Sequence, residues 1–104
     1  MKDIINRLIR FRDQRNWSQF HTPKNLAKSI IIEAAELLEN FQFADQEDVN
    51  NIKDELADIM GYCLLMSEHY GFDIKTIIND KIDQNEKKYP IDKAYNTAKK
   101  YNKL

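Results

Sequence analysis

The sequence has little that would interrupt a helix. Among 104 residues there are 2 Gly and 2 Pro, so long helices are expected. A single cysteine, Cys63, excludes an internal disulfide and fits a reducing compartment. No apolar run approaches the ~20 residues of a membrane span, so no membrane association is expected. Met1 to Trp17 alternates charged and apolar residues, with no signal-peptide pattern, and a cytoplasmic location is expected. Neither a concentrated basic stripe nor a Gly-rich loop is present, which argues against nucleic-acid binding as the main role. There is no internal repeat and no low-complexity tract.

What is present is ordinary for a helical protein: 42% hydrophobic and 32% charged residues. This length predicts one domain, residues 1–104, with a small core that oligomerisation would complete. The net charge is only −1 but is unevenly spread. From Glu33 to Asp58 nine acids face one base, Lys53, for a local charge of −8. From Lys81 to Leu104 seven lysines face three acids, for +4. Two solvated faces of opposite sign account for most of these side chains. The functional alternative is an acidic metal site facing a basic anion site.

Ile4, Ile5, Leu8, Ile9 and then Phe11 or Arg12 fall at helical spacing over residues 2–15. Arg7, Arg10, Arg12 and Arg15 are expected on the solvated side. Asn16 to His21 breaks the period and gathers Trp17, Phe20 and His21. Such a cluster plugs one end of a bundle or stacks on a flat ligand, where a base contributes ~1–3 kcal/mol. Thr22-Pro23 starts a second helix, to about Phe41. Lys24 and Asn25 lie in its first turn, where backbone N–H groups favour an anion. Asp45 is the expected N-cap of a third helix, from about Gln46 to Tyr70, ended by Gly71. Asp73 caps a fourth, which stops before Tyr89-Pro90, with Ile74, Ile77, Ile78 and Ile82 as its core face. Lys81, Asn85 and Lys88 follow the same side, snorkelling at its edge or pointing into a pocket. Residues 91–104 are expected to be extended or weakly helical. The fold class is all-α, an antiparallel four-helix arrangement.

The unusual feature lies in the two central helices. Glu33 and Glu36 sit three apart in the apolar segment IIIEAAELLENF, and so share a face. Glu55 and Asp58 repeat that spacing in DELADIMGYCLLM, with Tyr62 one turn beyond. Carboxylates on apolar helices are costly unless a cation lies between them. Oxygen-only ligands select Mg²⁺, Mn²⁺ or Ca²⁺ over Zn²⁺. A di-iron bundle needs Glu-x-x-His, but Ser18 and Met66 stand three residues before His21 and His69. Pairing with Lys or Arg at subunit contacts is the structural alternative. Mg²⁺ held by few protein groups reaches out to substrate phosphates, and a carboxylate outside its shell can take a proton from water. Rim lysines would neutralise the remaining phosphate charge. Spacing and composition thus lead to metal-assisted hydrolysis of a phosphorylated small molecule.

With EAAE at 33–36, ELAD at 55–58, WSQFHTPKNLA at 17–27, Tyr62 and KIDQNEKKYP at 81–90, the chain resembles the MazG-like nucleotide pyrophosphohydrolases. These belong to the all-α NTP pyrophosphatase superfamily, with its dUTPase-like and dCTPase-like members. The resemblance runs from Trp17 to about Leu104. It implies hydrolysis of a nucleoside triphosphate to monophosphate and pyrophosphate, as nucleotide-pool house-cleaning. It implies Mg²⁺ (Mn²⁺ as the alternative) on Glu33, Glu36, Glu55 and Asp58. It further implies base contact by Trp17, with Phe20, His21 and the aromatic Phe43 near the same pocket. Tyr62, Lys81, Asn85, Lys88 and Tyr89 match positions that reach sugar or phosphates, and Lys24 and Asn25 match the PKN piece. A homodimer or dimer-of-dimers tetramer is implied. Some dCTPase-like members carry a polar base-reading side chain where this chain has Leu8. The rival expectation is a non-catalytic nucleotide-binding or helical interaction module.

Overall fold

A computed structural model describes residues 1–43 and 47–104. Its elements are helices: α1 (Lys2–Gln14), α2 (Pro23–Glu39), α3 (Val49–His69), α4 (Ile74–Lys88) and α5 (Ile91–Ala94), with 3-10 turns at Ser18–Phe20 and Tyr101–Lys103. The described residues contain no strand. Met1–Gly71 and Phe72–Leu104 are two compact units.

In the first unit, α2 and α3 make the principal helix pair and α1 packs on α3. The core is small: Leu26 is 1% exposed, Leu64 4% and Leu65 7%. Each such burial contributes roughly 1.5–3 kcal/mol. Local signals position the ends. Thr22 Oγ1 accepts from the Asn25 backbone N–H at 3.2 Å, with Pro23 at the first helical position. Asn16 adopts φ 54°, and the Trp17 N–H then donates to the Arg12 carbonyl at 3.0 Å. Asparagine tolerates that left-handed conformation. The reversal sets Trp17 edge-on against Phe11, with centroids 5.7 Å apart. The Arg15 guanidinium lies 3.7 Å from the Phe11 ring centroid and fixes that ring's other contact.

The third helix departs from expectation at its start. It begins at Val49, and Asp48 is its N-cap, accepting from the Asn51 N–H at 3.1 Å. Asp48 is the last acid before the continuous period and so is the one whose carboxylate meets an orphan amide. The expected cap, Asp45, lies outside the described residues. Gly71, at φ 69°, ends α3 as expected.

In the second unit, Asp73 is the N-cap residue of α4, but its carboxylate bonds the Thr76 hydroxyl at 2.6 Å and no backbone amide. Of the expected core face, Ile77, Ile78 and Ile82 stand 39%, 48% and 49% exposed. Residues 91–104 are one short helix and one 3-10 turn, weakly helical as expected. Tyr101 packs edge-on against Tyr89, 6.2 Å between centroids, and under the Lys88 ammonium at 5.0 Å.

Candidate active site

Packing α2 on α3 brings together acids that the sequence separates by about twenty positions. Glu33, Glu55 and Asp58 each present a carboxylate oxygen within 4.8 Å of the other two. Glu33 Oε2 and Glu55 Oε2 are buried and have no donor. None of the three is ion-paired with Lys or Arg among the described residues of the chain, so no side-chain cation of the chain's own offsets their charge there. Burial pushes Glu33 up to about 7, and the neighbouring carboxyls of Glu55 and then Glu36 add to it, because a proton between the groups favours the neutral form. Two carboxylates can share a hydrogen bond only when one carries a proton. Once both ionise, they are acceptors facing each other.

This donor set fits a hard divalent cation. The oxygens are unpartnered, they converge, and no nitrogen or sulfur ligand joins them. Glu36 stands outside this three-oxygen cluster. It opens on a polar groove with Glu39, Asn40, Asn51 and Glu55. Asn40 closes the end of α2 through its amide, which donates to the Leu37 carbonyl at 3.1 Å.

On the other side, Asp58 also lines a cavity of about 160 Å³. Its walls come from Leu8, Phe11 and Arg12 of α1, from Trp17 and His21, and from Ala57, Gly61, Tyr62 and Leu65 of α3. The carboxylates thus stand between an acidic groove and a largely apolar cavity. Trp17 is 43% exposed, leaving ring surface available beside the hollow. His21 packs edge-on to Tyr62, with centroids 6.4 Å apart. Its Nδ1 is buried without a partner, and burial, followed by the Arg12 charge, lowers its pKa. His21 is accordingly neutral near pH 7.

Of the expected site residues, Trp17, His21, Tyr62 and Asp58 meet at the cavity, and Glu33 and Glu55 join Asp58 in the cluster. Phe20 is 58% exposed and Phe43 90% exposed. The Asn25 amide donates to the Phe20 carbonyl at 2.9 Å and braces the loop that carries Trp17 and His21. Lys24 is exposed in the first turn of α2. Lys81, Asn85, Lys88 and Tyr89 belong to the second unit.

Arg12 corrects the expectation of a solvated arginine face. Its side chain is 16% exposed, donating from Nε to Asp13 at 2.9 Å and from Nη1 to Glu68 at 3.5 Å. The signal was in the periodicity: Ile5, Leu8 and Arg12 lie at i, i+3 and i+7, so Arg12 continues the inward row. Gly61 was also legible as a position without a side chain in the middle of an apolar helix. An added Cβ there would meet Leu8 Cδ2 at 3.8 Å, an ordinary contact.

Residues 28–104 match the MazG-like family model. The bovine (Bos taurus) protein dCTP pyrophosphatase 1 is 29% identical across the whole of this chain and 68% of its own length. Its human counterpart is 27% identical over the whole chain and 67% of its length. Among solved structures, a pyrophosphatase from Archaeoglobus fulgidus superposes with a TM-score of 0.80 at 37% identity, covering 86% of this chain and 92% of its own.

Proposed function

Since this chain belongs to the MazG-like family, we propose that it is a Mg²⁺-dependent nucleoside triphosphate pyrophosphohydrolase that takes dNTPs to monophosphate and pyrophosphate. The observation that carries this reading is the trio Glu33, Glu55 and Asp58, two of whose oxygens are buried without a donor, at the edge of an aromatic cavity. Glu33, Glu55 and Asp58 would hold the cation, with Glu36 beside them. Bound there, it supplies charge to stabilise phosphate oxygens and lowers the pKa of water.

The protein's own residues do the rest. Trp17 and Tyr62 hold the base and sugar at the cavity, placing the phosphates beside Asp58. The α–β phosphoanhydride bond breaks, and water supplies the oxygen to one product. Glu36, outside the three-oxygen cluster, is positioned to take the proton of that water. Contacts of Lys24, Lys81, Asn85, Lys88 and Tyr89 with phosphate or sugar are proposed from the family resemblance alone.

A homodimer or dimer of dimers is part of the same reading. Ile31 and Leu38 on α2 are each 69% exposed, with Leu56 at 48% and Met60 at 46% on α3. An apolar surface of that kind on helices carrying the site suits a second copy. No helix among the described residues is long and apolar enough to cross a membrane. The free Cys63, with its thiol pKa raised by burial, is suited to a reducing, cytoplasmic setting.

The deciding experiment is pyrophosphate release from a panel of nucleoside triphosphates, with Mg²⁺ and with EDTA. Mg²⁺-dependent release is expected. Binding without turnover of any triphosphate would identify a non-catalytic module instead. Gly61→Ala separates fold from cavity. The exchange should stabilise α3 by roughly 0.5–1 kcal/mol, raising the melting temperature. The same methyl group intrudes on the cavity, so KM should rise. A melting temperature and KM that both stay at wild-type values would place the substrate elsewhere.

A further inference from the structure

The cavity contains one permanently charged group, and neither its length nor its partners suit a solvated role. Arg12 lines the hollow with Trp17 and His21, yet Asp13 and Glu68, which hold it, do not. The guanidinium is therefore tethered through Nε and Nη1 from outside the cavity. Nη2 donates to no described protein atom and Nη1 keeps a second N–H beyond the one given to Glu68, so the Nη1/Nη2 end of the fork retains two donor nitrogens. A neutralised, oriented guanidinium with a free end is a rigid hydrogen-bond donor. Arginine has no acceptor and does not deprotonate, so it cannot adapt to a donor facing it. Leu8, one turn earlier on α1, adds only apolar wall.

We propose that Arg12 is the base-reading residue of this cavity and selects nucleobases that present two adjacent acceptors to its fork. This rests on the nucleotide reading of the site given above. Two common bases have such an edge: guanine through O6 and N7, and cytosine through O2 and N3. Adenine flanks its ring nitrogens with an amino donor, and thymine places N3–H between its two carbonyls. Either presents a donor next to every acceptor on that edge, and a guanidinium fork meets it with one N–H unmatched. An unmatched buried donor is a strong basis for rejection. Trp17 supplies stacking that all bases share, so it contributes affinity without choice.

The test compares kcat/KM for dCTP, dGTP, dATP and dTTP in the wild type, Arg12→Ala and Arg12→Gln. Quenching of Trp17, the only tryptophan, by the four deoxynucleoside monophosphates reports base binding without turnover. The wild type should favour dCTP, dGTP or both over dATP and dTTP by about tenfold. The separate dCTP and dGTP values tell which base is the source. Arg12→Ala should bring the four within about threefold of one another. Arg12→Gln, which keeps length and offers both a donor and an acceptor, should move dATP upward relative to the wild type, and guards against a folding defect in the alanine variant. A wild-type preference for dATP or dTTP, or an equal loss for all four bases in both variants, overturns the proposal. If no triphosphate is hydrolysed, the pyrophosphohydrolase reading fails. The monophosphate titration still decides the role of Arg12, and equal quenching by all four bases would refute it.

Discussion

Glu33→Gln is expected to lower kcat/KM by about three orders of magnitude or more while making the metal-free protein more stable. The two effects have one source. Glu33 Oε2 is buried, lacks a donor and faces Glu55 and Asp58. With a divalent cation bound, an anionic oxygen there is a ligand, and its loss forfeits several kcal/mol of charge stabilisation; each 1.36 kcal/mol is about tenfold in rate. Without the cation, the same oxygen is an uncompensated charge. Glutamine keeps the shape, removes the charge and brings an amide donor that a neighbouring carboxylate can accept. Isothermal titration with Mg²⁺, steady-state kinetics and thermal melts in EDTA measure the three quantities. Glu36→Gln gives the contrast. Glu36 is exposed and outside the cluster, so it should reduce turnover while raising the metal-free melting temperature much less. If Glu33→Gln lost stability in EDTA, or bound Mg²⁺ as well as the wild type, Glu33 would not be a ligand.

The second large effect is a pH dependence that Mg²⁺ erases. Glu33 rises to about 7 in the folded protein, from an ordinary value of 4.5. Below pH 4.5 both folded and unfolded chains carry the proton, and no penalty exists. Between 4.5 and 7 the unfolded chain releases it while the folded chain retains it, so stability falls as pH rises. Above 7 the loss is complete, at most about 3 kcal/mol. His21 acts in the opposite sense. Burial lowers its pKa, so the unfolded chain binds the extra proton near pH 6 and stability gains as pH rises through that window. The difference between wild type and Glu33→Gln cancels the histidine. That difference in melting temperature should therefore grow from near zero at pH 4.5 to on the order of 10 °C at pH 8, and saturating Mg²⁺ should reverse its sign. A gap independent of pH would mean that Glu33 ionises normally. Mg²⁺ affinity should also increase with pH through about 7, because binding displaces the Glu33 proton.

Much of the site was legible in the chain before any coordinates. Three-residue spacing puts Glu33 with Glu36, and Glu55 with Asp58, on single faces, because a helix turns every 3.6 residues. Thr22-Pro23 and Gly71 act through their own backbone preferences, the first starting α2 and the second ending α3 as expected. The start of α3 was harder. Asp45 and Asp48 are equally good caps in isolation, and only the amide of Asn51 distinguishes Asp48. Local sequence therefore determined that the chain is helical and that four carboxylates lie on apolar helices.

Tertiary structure decided which of those groups meet. Helix phase does not say how α2 and α3 rotate against each other. Their packing put Glu33 against Glu55 and Asp58 and left Glu36 on the groove side. It also turned Arg12 from one of three arginines on α1 into a tethered group beside Trp17. Arg12 differs from Arg7 and Arg10 only in angular position, and that position matters only once α3 supplies Glu68 and a cavity wall. Local preferences act through each residue's own backbone, whereas burial and charge pairing are properties of the surroundings. The carboxylates could be found in the sequence, but the oxygens left without donors could be found only in the fold.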